Sequence, residues 1–318
     1  MSRMNIKRSI SIIFLVAALS ACGGGGGGGN PVDSSPQPPS TPSVPVASVS
    51  LFGPSMSDPK HLVFSGGNLY VASQSGIVVL NSAGGLATSY AISNSVGVGV
   101  QSGLVYHTGN IVSGQDTIFE LGSQAPKVAY TSNNFDGMVF YSSNMLFVAN
   151  STNVLAYTNF LNPAPISGLG ATPMAMAADT AKARVYVTLD SNKIGFLDPT
   201  NVGSGLTVLT EASPAKWGPL LRPNGVVVSS NGFAYVVNQG DVNGDGGFIS
   251  KINTSTGAAE TLISDSVGNW EALPVGFCGP VGITLDASQE YLYVTNGSCS
   301  FNYSGSPNSN KILKIKLP

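Results

Sequence analysis

The oxygen-bearing side chains of Asp241-Val242-Asn243-Gly244-Asp245-Gly246 alternate as they do at the start of a calcium loop. A hard cation takes several oxygens at once; positions one, three and five supply them, and a glycine at six allows the sharp turn. Asp241, Asn243 and Asp245 are therefore candidate Ca²⁺ ligands. The twelfth position is Ile252 where such a loop uses a bidentate glutamate, so binding here needs a carboxylate from another loop. The competing reading is a hairpin connection in which the same Gly, Asn and Asp residues simply form the turn.

Other chemistry is sparsely represented. The two histidines, His61 and His107, stand beside no nucleophile motif, and no G-x-S-x-G occurs. Both read as packed or solvent-facing residues, not as bases. The glycine clusters do not lie between a strand and a helix, so they do not form phosphate cradles. Charged residues are 9% of the chain and the net charge is -2, which argues against a nucleic-acid partner.

These residues must be positioned by β-structure. After residue 45 the apolar residues come in short runs broken by Gly, Asn, Ser and Pro, with no sustained helical period. A hydrophobic centre then recurs: Leu69-Tyr70-Val71, Leu104-Val105-Tyr106, Leu146-Phe147-Val148, Val185-Tyr186-Val187, Ala234-Tyr235-Val236 and Leu292-Tyr293-Val294. Each centre follows another apolar strand and a polar turn, and precedes a further strand. Units of about four strands, with centres 35 to 58 residues apart, predict propeller blades. The fold class expected is all-β, a six-bladed β-propeller. The sixth unit shows only three strands, the last at 311–317, whereas a spare alternating segment, 46–52, precedes the first unit. An uncovered strand edge is an aggregation hazard; residues 46–52 are therefore expected to complete the sixth blade and close the ring.

Propeller order places several residues on one face. Asn150, Asn238 and Asn296 each lie three residues after the aromatic of their repeat, where an amide could cap a strand end or meet a ligand. Cys278 precedes an inner strand and Cys299 follows a second strand, so both fall on that same face. In an oxidising compartment a disulfide between Cys278 and Cys299 is geometrically reasonable, with unpaired thiols as the alternative.

Tyr293-Val294-Thr295-Asn296, with Pro280-Val281-Gly282-Ile283 before it and Lys311-Ile312-Leu313-Lys314 after it, resembles NHL- and YVTN-type propeller repeats over about residues 46–318. Six-bladed propellers of this kind include the regucalcin and gluconolactonase-like lactonases, which hold a divalent metal at the channel end of their inner strands. Arg222-Pro223-Asn224-Gly225 and Asp136-Gly137-Met138 look like two of that family's ligand-bearing segments. The resemblance implies Asn224 and Asp136 as an alternative channel site. Aligning the other units places Lys60, Met174 and Val281 at the same position, and the family's early glutamate has no counterpart. The other reading of Asp136 and Asn224 is that they cap turns beside glycine.

The N-terminus addresses location. Arg3, Lys7 and Arg8 precede an apolar run at 10–19, the order of a secretory signal. The run is too short to span a bilayer, which takes about 20 apolar residues. Leu19-Ser20-Ala21-Cys22 resembles the bacterial lipobox, which implies cleavage before Cys22 and lipid on its thiol. Seven glycines at 23–29 and a Pro/Ser/Thr-rich stretch to residue 45 form a tether. The expected domains are a signal peptide at 1–21, a tether at 22–45 and a propeller at 46–318. Gly23 after Cys22 favours outer-membrane sorting, so the expected partners are a membrane, through Cys22, and an unidentified protein or small molecule. The expected role is a non-enzymatic binding module, with a metal-dependent lactonase as the alternative and an assembly scaffold as a third possibility.

Overall fold

The computed structural model describes residues 48–92, 95–112, 115–123, 125–129, 135–211, 220–240, 247–264, 276–277, 279–297 and 309–318. Cys22, the loop with Asp241, Asn243 and Asp245, and both Cys278 and Cys299 lie outside these residues. Among the described residues the one helix is a short turn, Val202–Ser204, and none is long and apolar enough to cross a membrane.

The first strand is β1 (Val49–Phe52). Blade one follows as β2 (Pro59–Ser65), β3 (Asn68–Ser73), β4 (Gly76–Asn81) and β5 (Leu86–Ala91); blade two is β6 (Val98–Gln101), β7 (Leu104–Val112), β8 (Gln115–Glu120) and β9 (Pro126–Ala129). Blade three is β10 (Phe135–Ser142), β11 (Met145–Asn150), β12 (Val154–Thr158) and β13 (Leu161–Ile166); blade four is β14 (Pro173–Asp179), β15 (Arg184–Leu189), β16 (Lys193–Leu197) and β17 (Thr207–Glu211). Blade five is β18 (Pro223–Val228), β19 (Phe233–Asn238), β20 (Phe248–Asn253) and β21 (Ala259–Ser264), and the last contains β22 (Pro280–Leu285), β23 (Tyr291–Asn296) and β24 (Lys311–Lys316). All six sheets are four-stranded and antiparallel; the sixth is completed by β1 against β24, with Val49 opposite Ile315 and Phe52 opposite Ile312. The ring therefore closes through the strand that the sequence left spare.

The hydrophobic centres are the second strands, and their lack of alternation has a packing cause. A blade sandwiched between two others is covered on both faces, so a middle strand reads as a continuous apolar run. Phe147, Val148 and Ala149 in β11 and Val185, Tyr186 and Val187 in β15 are all fully buried. The outer strand β5 has only one neighbour strand and is exposed along its whole length. Hairpin turns between inner and second strands use left-handed backbone where glycine allows it, as at Gly66 and Gly67. Strand β7 continues to Val112, so His107 lies in mid-strand. It is buried against Phe119, ring centroids 5.4 Å apart.

Candidate functional site: the head of the axial channel

The innermost strand of each blade pairs on one side only. These six strands, β2, β6, β10, β14, β18 and β22, line a single axial cavity of about 260 Å³, whose walls include Leu62, Val98, Met138, Met176, Val226 and Ile283. The same irregularity opens five of the six: the ladder breaks between Pro59 and Leu62, Phe135 and Gly137, Pro173 and Ala175, Pro223 and Val226, and Pro280 and Ile283. A bulge leaves its extra residue unpaired and re-aims it. Lys60, Asp136, Met174, Asn224 and Val281 are the residues so released, and Val96 is their counterpart in blade two, one residue before Gly97, whose carbonyl accepts from Thr108 N. The alignment made from sequence is thus the structural one. Asp136 and Asn224 stand within strands β10 and β18 and not at turn caps, which corrects the turn-former reading of both.

The ring alternates. Lys60, Asp136 and Asn224 come from blades one, three and five, and Val96, Met174 and Val281 from blades two, four and six. Lys60 gives its charge to Asp58, Nζ to Oδ2 2.8 Å. Asp136 makes no side-chain hydrogen bond among the described residues; burial, and then the carboxylate of Asp116, push its pKa up to about 6. Asp116 itself accepts from the Phe135 amide at 2.7 Å. Asn224 is 5% exposed.

One step below the ring stand His61, Gly97, Gly137, Ala175, Gly225 and Gly282. Small residues are needed because adjacent inner strands approach closely here. A Cβ at Gly225 would lie 2.6 Å from the carbonyl oxygen of Val281, and one at Gly282 would collide with that of Lys60. His61 is the exception. Its imidazole passes blade two and donates to the backbone carbonyl of Asp136 in blade three, and its Cε1 would lie 3.3 Å from a Cβ at Gly137. Burial first, and then Lys60, lower its pKa to about 4. A neutral imidazole held by a backbone carbonyl is a packed tie.

Threonines sew the ring at the same level. Thr188 accepts from the Ala175 amide at 3.1 Å and donates to the Asn224 carbonyl at 2.5 Å. Thr295 accepts from the Gly282 amide at 2.7 Å and donates to the Lys60 carbonyl at 2.6 Å. Thr108 accepts from Gly97 at 2.7 Å, but the carbonyl its counterparts would reach, that of Asp136, is taken by His61. Sequence inspection missed these threonines; their signal was a Thr two residues after the aromatic in alternate repeats. The asparagines that it did single out serve turns and strands. Asn150 Oδ1 accepts from Thr152 and Asn153 amides, Asn238 Nδ2 donates to Ser250 Oγ at 2.8 Å, and Asn296 Nδ2 donates to the Gly276 carbonyl at 3.0 Å.

The metal that a lactonase would need fits this ring poorly. Hard cations take six or more oxygens, whereas Asp136 and Asn224 are two blades apart, and apolar or cationic residues hold the other ring positions. Among the described residues no three His, Cys, Asp or Glu side chains group as a metal site.

No protein-family model matches the chain, and no curated protein matches it. Solved structures share its fold. A structural-genomics protein of unknown function from Bacteroides thetaiotaomicron superposes with a TM-score of 0.62 at 11% identity, covering 85% of this chain and 76% of that one. An auxiliary nutrient binding protein from the same organism gives 0.61 at 13% identity, covering 84% and 75%. A gluconolactonase from Xanthomonas campestris gives 0.57 at 13% identity, covering 86% and 90%. At such identities the likeness is one of architecture, and architecture does not select a function.

Proposed function

We propose that this chain is a ligand-binding β-propeller of the bacterial cell envelope, anchored through lipid on Cys22 and binding at the head of its axial channel. The observation that carries the reading is the ring itself: one half-buried carboxyl and one buried amide set among Val96, Met174 and Val281. A few placed polar groups in an apolar concavity are the ordinary make-up of a small-molecule site. A second reading, a metal-dependent lactonase, draws on the register of Asp136 and Asn224 and on the likeness to the gluconolactonase.

Two measurements test these readings. Cells fed an alkyne analogue of palmitate should label the wild-type protein in the membrane fraction and leave Cys22→Ala unlabelled; equal labelling of both removes the anchor. Purified protein should not open gluconolactone above the buffer rate with Ca²⁺, Zn²⁺ or Mn²⁺ present. Metal-dependent turnover abolished by Asp136→Asn would replace the binding reading with the lactonase one.

A further inference from the structure

The axial cavity does not include the ring at the channel head. Its wall begins one residue further along the inner strands, at His61, Ala175 and Gly225, and none of the ring residues lines it. From there it runs to Val100, Phe140, Ala178 and Val228. Val228 is the last residue of β18 and Ala178 the last but one of β14, so the cavity reaches the face opposite the ring. At about 3.3 Å per strand residue, these levels make it roughly 10 Å deep. At its inner end the His61 side chain reaches from blade one to the Asp136 carbonyl in blade three, its Cε1 3.3 Å from where a Cβ on Gly137 would stand. The imidazole is thus a floor between the ring above and the cavity below.

The wall restricts what can enter. No Asp, Glu, Lys or Arg lines the cavity, and an ion moved from water to a wall without a countercharge is strongly disfavoured. Leu62, Met138, Met176, Val226 and Ile283 offer apolar surface, and the two polar side chains are His61 and Thr284. The bond to the Asp136 carbonyl uses one ring nitrogen of His61 as a donor, and burial keeps the imidazole neutral, its pKa lowered to about 4. In a neutral imidazole the other nitrogen is then an acceptor. Among the described residues no group donates to it; His61 retains accessible surface, and the space it borders is the cavity. The inner strands, paired on one side only, bring free backbone N–H groups to the same wall. A hydroxyl suits both: it donates to the imidazole and accepts from a free amide, while a short hydrocarbon body meets the apolar side chains.

We propose that the axial cavity is a blind pocket, entered from the face opposite the ring, that binds a small uncharged alcohol with its hydroxyl donating to the second ring nitrogen of His61 and its alkyl chain along Met138 and Met176. The site is separate from the channel head and stands or falls independently of the binding reading above.

The test uses purified full-length protein carrying ¹³C-methyl methionine and four probes of similar size, namely 1-butanol, its isomer diethyl ether, butylammonium and butyrate, followed by methyl NMR. 1-Butanol should shift the Met138 and Met176 methyl resonances saturably, each assigned through Met138→Leu or Met176→Leu, and leave Met174 in the ring unmoved. Diethyl ether has the same atoms but no donor and should bind about three- to tenfold more weakly, the size of one lost hydrogen bond. The two ions should shift neither methyl. His61→Phe keeps a ring at the floor without an acceptor and should lower butanol affinity to that of the ether. Ala178 lines the cavity near its mouth and is only partly buried, so Ala178→Phe should abolish binding. Should either variant fail to fold, the other carries the comparison, and the ether needs no variant. No saturable shift with butanol, a shift of Met174 without Met138 and Met176, equal affinity for butanol and ether, binding of either ion in the cavity, or undiminished butanol affinity in either folded variant overturns the proposal.

Discussion

The hydroxyl of Thr295, in the last blade, donates to the backbone carbonyl of Lys60, in the first, at 2.6 Å across 235 residues of sequence. With the Gly282 amide donating to the same hydroxyl, Thr295 joins the two ends of the chain at the axis while β1 joins them at the rim. Removing a buried hydroxyl orphans both partners, so Thr295→Val should destabilise the domain by about 1–3 kcal/mol. Thr295→Ser keeps the bond and should lose much less. Urea denaturation of the three proteins checks this, and equal midpoints for Val and wild type would dismiss the hydroxyl as a stitch.

The rim seam should be worth more. Phe52 of β1 is buried, packs edge-on to Tyr293 with centroids 4.8 Å apart, and shares Lys314 with Tyr291 and Tyr293. Phe52→Ala should cost about 3–5 kcal/mol, the usual range for deleting a core aromatic. Deleting residues 46–52 also uncovers the edge of β24 and should give aggregation or loss of cooperative unfolding. A truncated protein with the wild-type Tm would mean that the seam contributes nothing.

Asn238 offers a contrast within blade five. Its Oδ1 accepts from the Leu221 amide at 2.9 Å while its Nδ2 reaches Val236, Phe248 and Ser250. Asn238→Ala should therefore lower stability by about 1–3 kcal/mol, whereas Asn224→Ala, which removes no side-chain hydrogen bond among the described residues, should leave it nearly unchanged. Chemical denaturation separates the two; comparable losses would show that Asn224 is structural.

The blades were legible because a middle strand buried on both faces must be apolar throughout, so triads such as Val185-Tyr186-Val187 stand out at a regular period. The seam was legible as arithmetic, one strand short at one end and one spare at the other. The register of Asp136 with Asn224 was also readable, since each sits just before a glycine at the head of an inner strand. The tie made by His61 was not. A histidine where other repeats have Gly or Ala says only that something differs; that its ring reaches past blade two to the carbonyl of Asp136 depends on how closely inner strands approach in three dimensions. The partnering of Asp58 with Lys60, and of Asp116 with the Phe135 amide, likewise arises from contacts that no short motif encodes.

His61 and Asp136 should oppose one another in pH dependence. His61 falls from 6.5 to about 4 on folding because burial, and then Lys60, disfavour its cation. Over that window the unfolded chain binds the extra proton, so the contribution of His61 is complete above its unfolded value and is lost as pH falls toward 4. Asp136 rises from 3.8 to about 6 because burial, and then Asp116, disfavour its anion. There the folded chain holds the extra proton, so the contribution is complete at low pH and is lost as pH rises through 6. Between about pH 4 and 6 the two slopes offset, and wild-type stability should be nearly flat there. Asp136→Asn removes one slope and should leave a protein that weakens on acidification through this range. His61→Gln should leave one that weakens as pH rises through it. Urea midpoints measured across the window decide the matter: two variants that both parallel the wild type would show that neither group is held in the protonation state its surroundings impose.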